Sequence, residues 1–212
     1  MRRQAHITYI LWFLLIGMAI WAGFSAMWNV VFSCVLTLGV SASPLFFARK
    51  ANVTLPPGFI AAVVIFTFGT LFLGEVGDFY QRFWWWDVVL HTGSAVAFGM
   101  IGTILVLLLL RGDKLNASPF LVAVLAFSFA VSIGAIWEIF EFLMDQFFGL
   151  NMQKSGLVDT MHDLIVDCLG AFVGALSGYA YLKGKENGFL SRMITEFVKS
   201  NDWMFPRKNS DK

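Results

Sequence analysis

Six long apolar stretches constrain this chain more than any other feature. They run approximately over residues 7–24, 29–48, 58–74, 84–110, 119–148 and 161–182. Each approaches or exceeds the ~20 residues that a helix needs to cross ~30 Å of hydrocarbon. The third is short, and the fourth and fifth are long enough to tilt or project beyond the membrane. Only 14% of the residues are charged and 58% are hydrophobic, whereas a soluble domain carries roughly 25% charged residues. Lipid is therefore the expected solvent. The expected fold is all-α: a polytopic six-helix transmembrane bundle over residues 1–184, then a cytoplasmic amphipathic tail over 185–212.

Arg2 and Arg3 ahead of an apolar run imitate a signal peptide. The run is longer than the ~7–15 residues of a signal core and holds Trp12 and Trp21, so it reads as a retained first helix. Pro56-Pro57-Gly58 opens the third span, and Ser118-Pro119 gives the fifth an N-cap with proline at its first helical position. In the tail, Phe189, Leu190, Met193, Ile194, Phe197 and Val198 recur at helical spacing. Such a helix is expected to lie on the inner leaflet, anchored by Trp203 and Phe205.

Lysine and arginine set the direction. With the N-terminus inside, the inner segments hold Arg2, Arg3, Arg49, Lys50, Arg111, Lys114 and the tail's basic residues. Of the 15 basic residues, only Arg82 and Lys154 fall outside. Both termini are thus expected in the cytoplasm, with the protein in the inner membrane. Trp28, Trp84, Trp85, Trp86 and Trp137 all fall near the outer interface, where indole prefers to sit. The glycosylation-like matches Asn52-Val-Thr54 and Asn116-Ala-Ser118 land in cytoplasmic loops and read as chance. A net charge of +1 offers no field for nucleic acid. Membrane lipid is the expected partner. Cys34 and Cys168 lie inside apolar runs and read as structural thiols, not a disulfide framework.

The acids are distributed the other way. Glu75, Asp78, Asp87, Glu138, Glu141, Asp145, Asp159, Asp163 and Asp167 fall outside or in outer helical turns. Glu75, Asp78 and Asp145 read as solvated loop or helix-end groups. The rest are ordered by spacing: Asp87 and His91 stand four apart, Glu138 and Glu141 three apart, and Asp159, Asp163 and Asp167 step by four. Each set shares one helix face. The last stripe continues through Gly170, Gly174 and Gly178, a pattern that lets helices approach closely. Glu138 lies about 30 Å along its helix from Pro119, while His91 and Asp167 lie ~10 Å and ~9 Å inward from their own outer ends. Three helices thus bring acids and an imidazole to one level. Charges in a membrane cost ~2.5–3.5 kcal/mol even on the gentler scale and usually mark function.

The segments "WWDVVLHTGSAVAFG", "AIWEIFEFLMDQFFG" and "LVDTMHDLIVDCLGAFVG" resemble the YjdF-like inner-membrane proteins, whose function is uncharacterised. The matching positions are Asp87 and His91, Glu138 and Glu141, then Asp159, Asp163, Asp167 and Gly170, and the resemblance runs from about Trp84 to Gly178. The Asp–His and Asp…Gly elements are also similar to VanZ-like membrane proteins, although Asp167 stands where a VanZ-like asparagine is expected. Neither resemblance implies a known reaction.

Facing helices that present Glu, Asp and His at i, i+3 and i+4 follow the logic of helical-bundle metal centres. The expected ligands of a divalent metal ion are Asp87, His91, Glu138, Glu141, Asp163 and Asp167, with Asp159 and His162 behind them. Such a site suits a metal-dependent enzyme acting on a lipid or lipid-linked ester. Two other readings stay open: a proton or cation relay, for which the inner halves of the spans supply no acids, and a scaffold or sensor locked by its acids.

Overall fold

The computed structural model of the protein describes residues 2–110, 118–185 and 188–205. Among them every regular element is a helix. In chain order these are α1 (Arg2–Phe24), α2 (Trp28–Lys50), α3 (Pro57–Thr67), which runs on as a π-helix (Phe68–Val76), a single turn α4 (Phe79–Arg82), α5 (Trp85–Leu109), α6 (Pro119–Phe148), α7 (Leu157–Leu182) and α8 (Phe189–Ser200). Six of these segments are long and apolar enough to cross a membrane: α1, α2, α3 with its π extension, α5, α6 and α7. The polytopic all-α architecture stands as expected. Arg111 and Lys114, expected in an inner loop, the Asn116 match and the tail residues Arg207, Lys208 and Lys212 lie outside the described residues.

Local chemistry accounts for the boundaries. The Ser118 hydroxyl accepts from Leu121 N at 3.2 Å, which satisfies one orphan donor at the start of α6, and Pro119 lacks a donor to orphan. Gly149, with φ 65°, ends α6 in the left-handed conformation that glycine adopts without a Cβ clash. Gly156, with φ 64° and ψ −127°, opens α7 in a region that an L side chain rarely enters. The third span departs from expectation. It continues past Gly74 to Val76, and its last nine residues are π-helical rather than α-helical.

The helices form two compact units, Met1–Trp86 and Asp87–Lys212. In the first, Leu15, Ala22, Val30 and Cys34 make a buried core against Phe68, Phe72 and Val76. Cys34 is fully buried there, as expected of a structural thiol, whereas Cys168 is only half-buried; both are free. Trp12 donates to the Ser41 hydroxyl at 3.0 Å, tying α1 to α2.

The second unit is built on small residues. Ala95 of α5, Ala130 of α6 and Ala171 of α7 form a buried cluster with Phe98, Phe127 and Val131 around it. The α7 glycines face α5 as the stripe predicts. A Cβ on Gly170 would meet the Thr92 carbonyl oxygen at 2.5 Å, one on Gly174 the Val96 carbonyl and Gly99 Cα, and one on Gly178 the Thr103 side chain. Close backbone approach replaces the hydrophobic drive that lipid removes. The amphipathic α8 packs on α7 and buries Ser191, Ile194 and Thr195. Most of its apolar stripe, Leu190, Met193, Phe197 and Val198, is only half-buried.

Candidate metal centre at the α6–α7 loop

Polar groups converge at one end of the second unit. His91 lies on the second turn of α5, Glu138 and Glu141 about three and two turns before the end of α6, and Asp163 and Asp167 on the second and third turns of α7. All five are buried, at 2–9% exposure. The α6–α7 register explains this, because the two helices form an antiparallel hairpin whose loop brings the late turns of one beside the early turns of the other.

The His91 imidazole is the hub. Its Nδ1 lies 3.4 Å from Asp167 Oδ1 and 4.0 Å from Glu138 Oε1, and its Nε2 lies 3.8 Å from Asp87 Oδ1. His91, Glu138 and Asp163 each offer a ligand atom within 4.8 Å of the others, and all three are buried. Glu138 is the anomaly of the site. It is 4% exposed, and neither carboxylate oxygen accepts a hydrogen bond among the described residues. The Thr160 hydroxyl lies near Glu138 and accepts from Gln153 Nε2 at 2.6 Å, which leaves its own proton free to donate. A buried carboxylate without hydrogen bonds either takes up a proton or is compensated by a cation or another ligand.

The other expected ligands are distributed around this trio. Asp167 faces the imidazole and packs against α6, where a Cβ on Gly134 would collide with its carboxylate. Asp87 pairs with Lys154 Nζ at 2.7 Å. Glu141 is held at the edge of the trio: its Oε1 accepts from Trp137 Nε1 at 2.9 Å, one turn back on the same helix. The structure does not group it with the other ligand atoms. His162 is exposed and takes no part. Asp159, expected only behind the ligands, joins Asp87 and Asp163 in a second trio with atoms within 4.8 Å.

Two further features add to the sequence reading. Lys154, one of the two bases expected outside, reaches back from the loop onto Asp87. Asp145 is not a freely solvated helix-end acid. Its two oxygens accept from Met152 N at 2.7 Å and Gln153 N at 2.9 Å. With Lys154 N donating to Asp159 Oδ2 at 3.1 Å, these bonds fold the loop between Gly149 and Gly156 into an ordered strap over the acidic end. Glu75 and Asp78 are exposed as expected, and Asp78 pairs loosely with Arg82 at 3.6 Å.

Three comparisons with known proteins bear on this chain. A family model described as "Predicted membrane protein (DUF2238)" matches residues 7–184. A protein of Thermotoga maritima, named only as uncharacterised, is 32% identical over 114 residues, which are 53% of this chain and 57% of that relative. The similarity therefore spans little more than half of either protein. No solved structure matches.

Proposed function

The chain belongs to the DUF2238 family of predicted membrane proteins, and from that premise we propose that it is an inner-membrane protein with cytoplasmic termini that holds a divalent cation near its outer face through His91, Glu138 and Asp163. The observation that carries this reading is Glu138: buried, without a hydrogen bond, and within 4.8 Å of an imidazole nitrogen and a second buried carboxylate oxygen. The donor set fits a borderline or hard divalent ion, with Mn, Fe and Zn compatible with the imidazole and Mg or Ca with the oxygens.

Asp167 has a supporting role. Its carboxylate lies against His91 Nδ1 at 3.4–3.5 Å and orients the imidazole ring toward the other carboxylates. Glu141, held by Trp137 at the edge of the site, is placed to exchange a proton with a bound reactant. The basic residues favour cytoplasmic inner loops, which sets the strap and the acidic end at the outer leaflet. An ion held there supplies Lewis-acid polarisation to an ester or phosphoester of a lipid or lipid-linked substrate, which is the activity we assign to the site.

The test is element analysis of detergent-purified protein, with melting followed before and after chelation. An ion at 100 times its Kd stabilises by about 2.7 kcal/mol. Wild type is expected to melt lower after chelation and to recover with one particular cation, while Glu138→Gln shows neither response. A metal-free wild type indifferent to chelator refutes the proposal. In that case a pH-dependent but metal-independent stability indicates a proton relay.

A further inference from the structure

We infer that the same end of the protein holds a second divalent cation on Asp87, Asp159 and Asp163, so that the Asp163 carboxylate bridges two ions. The inference rests on the cation site proposed above and extends it to a two-ion centre.

The starting observation is that two ligand groups share one residue. His91, Glu138 and Asp163 form the first and Asp87, Asp159 and Asp163 the second, each with atoms within 4.8 Å. Clustered acids alone are common on proteins, so the weight falls on Asp163. It is 3% exposed, lies between the two groups and, among the described residues, takes part in no side-chain hydrogen bond or ion pair. A carboxylate has two oxygens and about four lone-pair sites, enough for two ions. An ion at the first group uses some of those sites and leaves the rest for an ion shared with Asp87 and Asp159. The named acids also outnumber the single ammonium of Lys154, so that one divalent ion leaves the site anionic. Two-ion centres place their ions about 3.5–4 Å apart across such a shared ligand.

The two positions differ in chemistry. The first is fully buried and includes an imidazole. The second is all oxygen, with Asp87 and Asp159 half-buried, which suits Mg, Mn or Ca and a partly hydrated ion. Lys154 already brings a positive charge there. Its Nζ lies 2.7 Å from Asp87 Oδ2 and its backbone N 3.1 Å from Asp159 Oδ2, so an incoming ion competes with the ammonium for Asp87. The strap therefore sets the affinity of the second position. A pair of ions at the outer leaflet matches the oxygens of a phosphate-bearing amphiphile better than those of a neutral ester.

The experiment uses Mn2+ with the full-length protein in detergent, counted by equilibrium dialysis and read by low-temperature electron paramagnetic resonance. Wild type is expected to bind two ions per chain at saturation with the spectrum of an exchange-coupled pair. Asp159→Asn, which keeps an acceptor for Lys154 N, should bind one ion with an uncoupled spectrum. Lys154→Met should bind the second ion about tenfold more tightly, an effect of about 1.4 kcal/mol; this gain keeps the test valid even if Asp159→Asn folds poorly. One ion in wild type, lost in Glu138→Gln and unaffected by Asp159→Asn, overturns the second position and leaves the first intact. Two ions without coupling overturn the bridge. No Mn2+ at all overturns both readings.

Discussion

Gly134 and Asp167 offer a measurement in which the sign of a substitution reverses. Alanine at an α6 interior position gains about 0.8–1.0 kcal/mol over glycine in helix propensity. At Gly134 that gain meets an obstacle, because an added Cβ would overlap Asp167 Oδ2 and lie 2.9 Å from its Cγ. The carboxylate must swing away, at about 1–3 kcal/mol for overpacking. It also gives up its contacts with His91 Nδ1 at 3.4–3.5 Å, long enough to be worth about 1 kcal/mol. The net expectation for Gly134→Ala is a loss of about 1–3 kcal/mol. In an Asp167→Ala background the obstructing atoms are gone, and only Asp167 Cβ, 3.3 Å away, remains. There the same substitution should be neutral or stabilising by up to about 1 kcal/mol. A double-mutant cycle of melting in detergent should therefore show a coupling of about 2 kcal/mol. Additive effects would refute the contact, and with it the claim that Gly134 exists to admit the Asp167 carboxylate.

Other outcomes follow from the same geometry. In chelator, Glu138→Gln should melt at or above wild type, because it replaces a buried carboxylate that has no hydrogen bond by a neutral amide; a large drop in the metal-free state would mean that Glu138 has a stabilising protein partner. Gly174→Leu should lower the yield of folded protein, since its side chain would enter the Val96 and Gly99 backbone, whereas Leu176→Phe sits on an exposed face and should be tolerated. Equal melting of those two variants would remove the glycine stripe from the interface. Cysteines at Ser155 and Asp78 should label from outside and cysteines at Lys50 and Lys114 only from inside. Inside-only labelling at Ser155 would end the six-span topology.

Much of the fold was legible because hydropathy and punctuation are local. Pro119 acts within a turn of where it stands, and the acid and glycine stripes needed only helical period. What was not legible depends on partners distant in sequence. Gly134 is a lone glycine in an apolar helix, and only Asp167 across the interface explains it. Lys154 could be counted as an outer base, but its reach to Asp87 depends on how the strap folds. Asp159 joined the front rank for the same reason. Glu141 is different: Trp137 stands four residues before it, so the bond that holds it was available from spacing alone. The π-helix at the end of the third span carries no hydropathy signal, because a change from i→i−4 to i→i−5 pairing leaves the apolar content unaltered.

The α6–α7 hairpin has a consequence for how the protein reaches the membrane. Of the six candidate spans α7 is the least apolar and α6 the most. During synthesis α7 reaches the translocon with Asp159, Asp163 and Asp167 in its leading half, and each acid opposes partitioning by up to ~2.5–3.5 kcal/mol at a helix centre. Its own apolar residues offset this weakly, since many of its buried positions are glycine and alanine. The strap that joins it to α6 is short and already hydrogen-bonded to Asp145. Lateral exit into lipid is thus a property of the pair: α6 provides the apolar surface, and α7 leaves the channel with its carboxylates turned toward its partner.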